Sequence, residues 1–189
     1  MIPIMSDDMG SLFQGLRGHD CEFETGALVF HLGDPIRVLH FVRHGTIHLV
    51  RRQDNGAALI LQRAGPGSIL AEASVYSDSY HCDAVAECAA TTRAVARTDL
   101  RRVFERAPKA SEIWARYLAN EVQRARLIAE ILSLATVEAR LDAWIGWNKT
   151  LPEKGRWRRV AHEIGVSPEA LYREIAKRRD RPPRSRIAS

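Results

Sequence analysis

From Ala27 to about Thr98 the apolar residues come in short runs broken by glycine. ALVFHLGD (27–34), IRVLHFVRHG (36–45), TIHLVRRQDNG (46–56) and AALILQRAGPG (57–67) each carry β-branched or large apolar side chains, and Gly33, Gly45, Gly56, Gly65 and Gly67 punctuate them. Asp54-Asn55-Gly56 is a hairpin signal, because Asn and Gly accept the positive φ that tight turns need. Turn signals recur about every 10 to 12 residues, a spacing that predicts an antiparallel sandwich or jelly-roll barrel rather than a parallel sheet.

Near Asp99 the period changes. Residues 99–147 are nearly free of glycine, and Pro108 is their only proline. After it, Trp114, Leu118, Val122, Ala125, Ala129 and Leu132 follow one another at steps of four and three, the spacing of one helical face. A helix from about 111 to 135, capped by Ser111, would be about 37 Å long. A second apolar row, Ile113, Tyr117, Leu127, Ile128 and Ile131, gives this helix more apolar surface than one barrel face covers. The first row is therefore expected to pair with a second copy of the chain, as a coiled-coil-like seam.

NKTLPEKG (148–155) reads as a linker, and the next segment as two short helices. Trp157–Glu163 makes the first, Ile164-Gly165-Val166 the turn, and Ser167-Pro168-Glu169 the start of the second: an N-cap, a proline at the first helical position and an acid at the positive helix end. Ala161, Ile164, Val166, Leu171 and Ile175 would form the small core between them. This is a helix-turn-helix pattern, whose second helix enters the major groove of DNA.

Charge strengthens that reading. Residues 154–189 hold 11 Lys and Arg against 4 Asp and Glu, leaving 17 against 19 in the first 153 residues. A near-neutral body with a basic C-terminal piece fits a polyanion-binding module. On the second helix Ser167, Glu169, Tyr172, Arg173 and Lys177 are candidate DNA-facing residues; Glu169 can accept from a cytosine amino group, and Arg173 can be bidentate to guanine. Arg156, Arg158, Arg159, Lys177, Arg178 and Arg179 are candidates for phosphate contacts, which supply affinity but little sequence choice. The alternative is a helical surface pair of Glu169 with Arg173 and a solvated basic tail.

The three cysteines, Cys21, Cys82 and Cys88, are too few and too scattered for a disulfide framework. No run approaches the roughly 18 apolar residues of a membrane span, and MIPIMSDDMG carries no basic, apolar-cored leader pattern, so a cytoplasmic protein without a membrane partner is expected. No phosphate-binding glycine loop, nucleophile elbow or metalloprotease helix is found, and the chain is not expected to be an enzyme.

With these parts in this order, the chain resembles the Crp/Fnr superfamily of transcription regulators over about residues 20–180. The likeness is carried by the glycine-spaced strands, by PGSILAEASVYSDSYHCDAVA in the place of the family's ligand cassette, and by GVSPEALYREI in the place of its recognition helix. The resemblance implies an α+β chain: a cyclic-nucleotide-binding-type β jelly roll as sensor (1–108), a long dimerisation helix and hinge (109–147), and a C-terminal helix-turn-helix with its basic tail (148–189). It implies a homodimer, double-stranded DNA as partner, RNA polymerase as a further one, and a long helix that relays the signal. Glu169 and Arg173 match the family's base-reading positions, and Pro168 replaces what is often an arginine. The family's wing of two strands after the recognition helix is reduced or absent here.

In cyclic-nucleotide-binding members the cassette runs glycine, glutamate, short helix, arginine, serine. Here Glu72 matches, but Ala71 replaces the glycine, and Cys82 and Asp83 stand at the arginine and serine places. A buried phosphate beside Asp83 without that arginine would cost several kcal/mol, so a cyclic nucleotide is not the expected ligand. The candidate pocket is Glu72, Ala73, Ser74, His81, Cys82 and Asp83. Cysteine and histidine suit a soft metal, haem or a redox signal, with Cys82 and His81 as candidate metal ligands; a buried thiol that only fills space is the other reading of Cys82. In a regular strand Cys82, Ala84, Ala86 and Cys88 share one face and His81 lies on the other, with Cys82 about 20 Å from Cys88. The N-terminal cysteine cluster of the iron–sulfur members is absent, so no such cluster is expected. His31, His40, His44 and His48 read as strand surface. The expected function is a sequence-specific DNA-binding transcription regulator whose signal is not a cyclic nucleotide. The rival is a ligand-binding or protein-interaction module whose helix-turn-helix no longer reads DNA.

Overall fold

A computed structural model describes residues 3–53 and 58–179 of the chain. It divides into two compact units, one ending at Ala119 and the other beginning at Asn120.

The first unit opens with helix α1 (Pro3–Gly15) and continues with β1 (Gly18–Phe23), β2 (Leu28–Phe30), β3 (Val38–His44), β4 (Ile47–Arg52), β5 (Ala58–Ala64) and β6 (Ile69–Leu70). A 3-10 turn (Glu72–Tyr76), β7 (Asp83–Ala86), β8 (Ala90–Ala96) and helix α2 (Arg97–Arg106) follow, and the first half of α3 (Pro108–Ser133) completes the unit. The strands make two four-stranded antiparallel sheets, ordered β1-β8-β3-β6 and β2-β7-β4-β5. Although β3 and β4 are consecutive, they belong to different sheets. Gly45 turns the corner at φ +78°, and a Cβ there would run into the backbone of Ala89 and Ala90.

Strand alternation builds two apolar layers. Between the sheets lie Phe30, Val42, Ile47, Leu49, Leu70, Tyr80, Cys82, Ala84 and Ala90, with the Phe30 and Tyr80 rings stacked at 3.6 Å. Leu39, Phe41, Ile69 and Val95, on the outer face of the first sheet, pack instead against Met9 and Phe13 of α1, Leu100 of α2, and Trp114 and Tyr117 of α3. The β-roll with flanking helices that the glycine-spaced runs predict is therefore present. The hairpin signal falls between the paired strands β4 and β5, but residues 54–57 lie outside the described residues.

Several elements escaped the sequence reading: helices α1, α2 and α4 and strand β1. Helix α1 sits where no element was expected, and β1 starts before Ala27. Met9, Leu12, Phe13 and Leu16 are spaced as a helical stripe, so the signal for α1 was there. Helix α3 starts at Pro108, not near Ser111. Proline fits a first helical position, and the Ser111 hydroxyl donates to the Phe104 carbonyl (2.7 Å) from inside the helix.

The second unit holds the rest of α3, then α4 (Val137–Asn148), a 3-10 turn (Lys154–Arg156), α5 (Trp157–Glu163) and α6 (Pro168–Arg179). Thr136 caps α4 by accepting the Ala139 N–H. Ile131, Leu141, Trp144, Val160, Ala161, Ile164, Leu171 and Ile175 form its core, with Val166 at the edge.

The two apolar rows of α3 part company. Tyr117 and Ile131 of the second row are buried, and Leu127 is half-buried. In the first row Trp114 is only 4% exposed, lodged beside Phe104 and Tyr117, so it is a core residue and not the start of a seam. Leu118 is half-buried. Val122, Ala125, Ala129 and Leu132 are exposed, Val122 at 48% and Leu132 at 45%. No helix among the described residues is long and apolar enough to cross a membrane.

Candidate functional site

In the roll, the cassette opens on Ala71 after β6. Ala71 adopts φ 54° and ψ 46°, a left-handed conformation that costs a non-glycine residue about 1 kcal/mol. Glu72 follows, half-buried, and its carboxylate already has a partner: Gln62 of β5 donates from Nε2 to Oε2 at 2.8 Å. The same amide donates to the Ile69 carbonyl (3.2 Å) and accepts the Ala71 N–H (3.3 Å), so one side chain ties β5, β6 and the cassette together. Ala73 is exposed and Ser74 is buried.

Beyond the turn the candidate pocket does not converge. Cys82 points into the core between the sheets, while its neighbour His81 is exposed, so the two do not combine as metal ligands. Among the described residues no group of three or more His, Cys, Asp or Glu is placed to hold a metal ion. Burial pushes the Cys82 thiol up; the nearby Arg51 charge only partly opposes this, and Asp83 and Glu72 add to the rise. Such a thiol stays protonated at neutral pH, and a thiol is a poor nucleophile and a poor metal ligand. Asp83 accepts the Leu32 N–H at 2.8 Å and faces the Arg52 Nε (3.9 Å) and the His31 Nδ1 (3.7 Å), so it pins the β2–β7 edge.

Arg51 was missed by the sequence reading. It lies on β4, 30 positions before the cassette's end, and donates to the His81 carbonyl at 3.1 Å. A cation from β4 therefore lies beside His81 and Cys82.

The histidines also need correcting. His40 is buried, not on the surface, with Nδ1 2.9 Å from the Thr92 hydroxyl. His48 is half-buried, 2.9 Å from Glu87 and from Arg63.

The second unit reproduces the helix-turn-helix pattern residue by residue. Helix α5 runs over the predicted Trp157–Glu163, Gly165 makes the turn at φ +65°, and the Ser167 hydroxyl accepts the Ala170 N–H at 3.2 Å as the N-cap of α6. On α6, Glu169, Tyr172, Arg173 and Lys177 are exposed, while Leu171 and Ile175 are buried on the other side. The Glu169 carboxylate accepts from its own backbone N–H and from the Ser167 hydroxyl, which holds its pKa below the usual range. Tyr172 rests against the Trp157 ring at 5.7 Å. Arg156 and Arg158 are exposed; Arg159 is exposed too but donates to Glu163 at 2.9 Å.

Arg178 departs from expectation. It is held by Glu174 (2.9 Å), Asp142 (2.7 Å) and the Glu138 carbonyl (2.9 Å), so it anchors α6 to α4 and is not a free phosphate contact. Residues 180–189, where the basic tail lies and a wing would follow, are outside the described residues.

The family model for the cyclic nucleotide-binding domain matches residues 20–107. No curated protein matches the chain by sequence. Among solved structures, FixK2 from Bradyrhizobium japonicum superposes with a TM-score of 0.66 at 16% identity, over 86% of this chain and 84% of that one. The c-di-GMP-responsive global regulator CLP of Xanthomonas campestris gives 0.63 at 18% identity, over 92% and 91%. The catabolite activator protein of Thermus thermophilus gives 0.51 at 21%, over 94% and 83%. Residues 20–107 are thus a cyclic nucleotide-binding-type domain, and the chain is similar in fold to these three regulators over 86 to 94% of its length.

Proposed function

We propose that the chain is a homodimeric, sequence-specific DNA-binding transcription regulator whose roll answers to a signal other than a cyclic nucleotide. The observation that carries this is the capped α6, which presents Glu169, Tyr172, Arg173 and Lys177 on its exposed side beside the exposed Arg156 and Arg158. Glu169 and Arg173 have the donor and acceptor chemistry to read base edges, and the flanking cations suit phosphates. The exposed row Val122, Ala125, Ala129 and Leu132 supports pairing of two copies through α3.

Two features argue against a cyclic nucleotide. The acceptor that would hold a ribose hydroxyl is engaged by Gln62, and the residues at the arginine and serine places, Cys82 and Asp83, are committed to the core and to the Leu32 N–H. A nucleotide would have to share Glu72 with Gln62 and rely on Arg51 for its phosphate. The burial of Cys82 favours its packing role over a metal, haem or redox role.

The test is selection of binding sites from a random duplex library by the purified full chain at physiological salt, with and without cyclic AMP or cyclic GMP. A pseudo-palindrome with half-sites about 10 base pairs apart is expected, enriched equally in both arms. No enrichment over competitor DNA would sink the DNA-reading proposal in favour of a ligand-binding or protein-interaction module. Enrichment only with nucleotide would sink the claim about the signal.

A further inference from the structure

One side chain in the second unit bonds to four backbone carbonyls. Arg140, on α4, donates from Nε to Leu134 O (2.7 Å), from Nη2 to Leu132 O (3.0 Å), and from Nη1 to Ile164 O (3.1 Å) and Gly165 O (3.0 Å). Leu132 and Leu134 are at the C-terminal end of α3; Ile164 is the C-cap of α5, and Gly165 is the helix-turn-helix turn. The last carbonyls of any helix lack intrahelical donors and carry the negative end of its dipole. Arg140 thus satisfies the loose ends of two helices with one cation. Only a planar guanidinium, with five N–H groups fanned in fixed directions, can reach both at once; an ammonium cannot.

A second observation falls in the same place. A Cβ added to Gly165 would collide with the Leu132 side chain, so the turn and the last residue of the exposed α3 row are in direct contact. Gly165 also needs its positive φ. Arg124 of α3 adds a link to Glu163 of α5 at 3.7 Å.

From this we infer that Arg140 is the positioning residue of the DNA-reading head. It fixes the turn, and through the turn α6, against the end of α3, so that the packing of Leu132 in a dimer seam is felt directly at Gly165. The inference rests on the DNA-reading proposal for its function, though the joint itself does not. Arg140 touches no base; it acts through where it holds Glu169 and Arg173.

The test compares the full-length protein with Arg140→Gln and Arg140→Lys. Amide exchange is followed at Gly165, Val166 and Leu134, with the α6 amides as a check on folding. Affinity is measured for the selected site and for competitor DNA. Arg140→Gln is expected to speed exchange at Gly165 and Val166 at least tenfold while α6 stays protected. It should weaken the selected site about tenfold or more and competitor DNA less than threefold, because the phosphate-facing cations are untouched. Arg140→Lys should restore only part of the loss. Unchanged exchange at the turn in Arg140→Gln would overturn the joint. Faster exchange with an unchanged ratio of selected to competitor affinity would overturn the positioning role. If wild type selects no site, DNA reading itself fails, and the exchange data alone still decide whether Arg140 holds the turn.

Discussion

His40 shows how much a single buried residue can carry. It lies on β3 between the sheets, beside Phe23 and bonded to Thr92, and burial with the added charge of His19 pushes its pKa down to about 4. In the unfolded chain the imidazole takes its proton near pH 6.5. The folded state keeps it neutral, so its support for folding is complete above about pH 6.5 and is lost as the pH falls from there toward 4. The loss is at most about 3 kcal/mol. Thermal melts at about pH 7.5 and pH 5 should therefore differ more in wild type than in His40→Asn, which keeps a partner for Thr92. An equal difference in both would assign the titration to another group. Nothing in the sequence marked His40 as the buried histidine among the four; strand period alone leaves either face open until the sheets are stacked. Arg51 was illegible for the same reason, since its nearness to the cassette is set by the pairing of β4 with β7. Glu72, Cys82 and the N-cap Ser167 were legible because they sit inside local patterns.

At the scale of the element, α3 separates what period can show from what it cannot. The two rows were readable from spacing, but which row faces the interior changes along the helix. Trp114 is buried because α2 and the roll meet it there, whereas Val122 and Ala125, two and three turns on, are exposed. A seam that begins near Leu118 predicts that Val122→Asp, which puts a charge in the middle of it, turns the dimer into a monomer at micromolar concentration. Sedimentation would report this, and an unchanged circular dichroism spectrum would exclude unfolding. A Val122→Asp protein that still sediments as a dimer would move the interface elsewhere. Helix α5 and the start of α6 were legible to the residue because cap, turn and apolar positions agree there. Helix α1 was not, because its short stripe is diluted by polar residues and its burial depends on a sheet formed 20 to 80 residues later.

For the whole molecule, charge and fold together constrain how DNA would be held. The net charge of +5 is concentrated in the second unit, where Arg156 and Arg158 are exposed while Arg159 and Arg178 are engaged by carboxylates. Each phosphate contact contributes about 0.9 to the slope of log affinity against log salt. Arg158→Gln, present twice in a dimer, should therefore lower the slope by nearly 2 for selected and competitor DNA alike, leaving their ratio unchanged. A changed ratio with a constant slope would make Arg158 a base reader.

The amino-terminal helix has a practical consequence. The recognisable domain begins at residue 20, yet Met9 and Phe13 are fully buried, and the Phe13 and Leu16 carbonyls accept from the Arg93 guanidinium of β8. A fragment cut at the sequence-defined border would uncover the part of the first sheet's outer face that α1 covers, and would take two backbone acceptors from Arg93, leaving it Asp20. Losing the Phe13 ring alone is worth about 3 to 5 kcal/mol, enough to consume much of a small domain's margin. Helix α1 therefore belongs to the roll as much as any strand does.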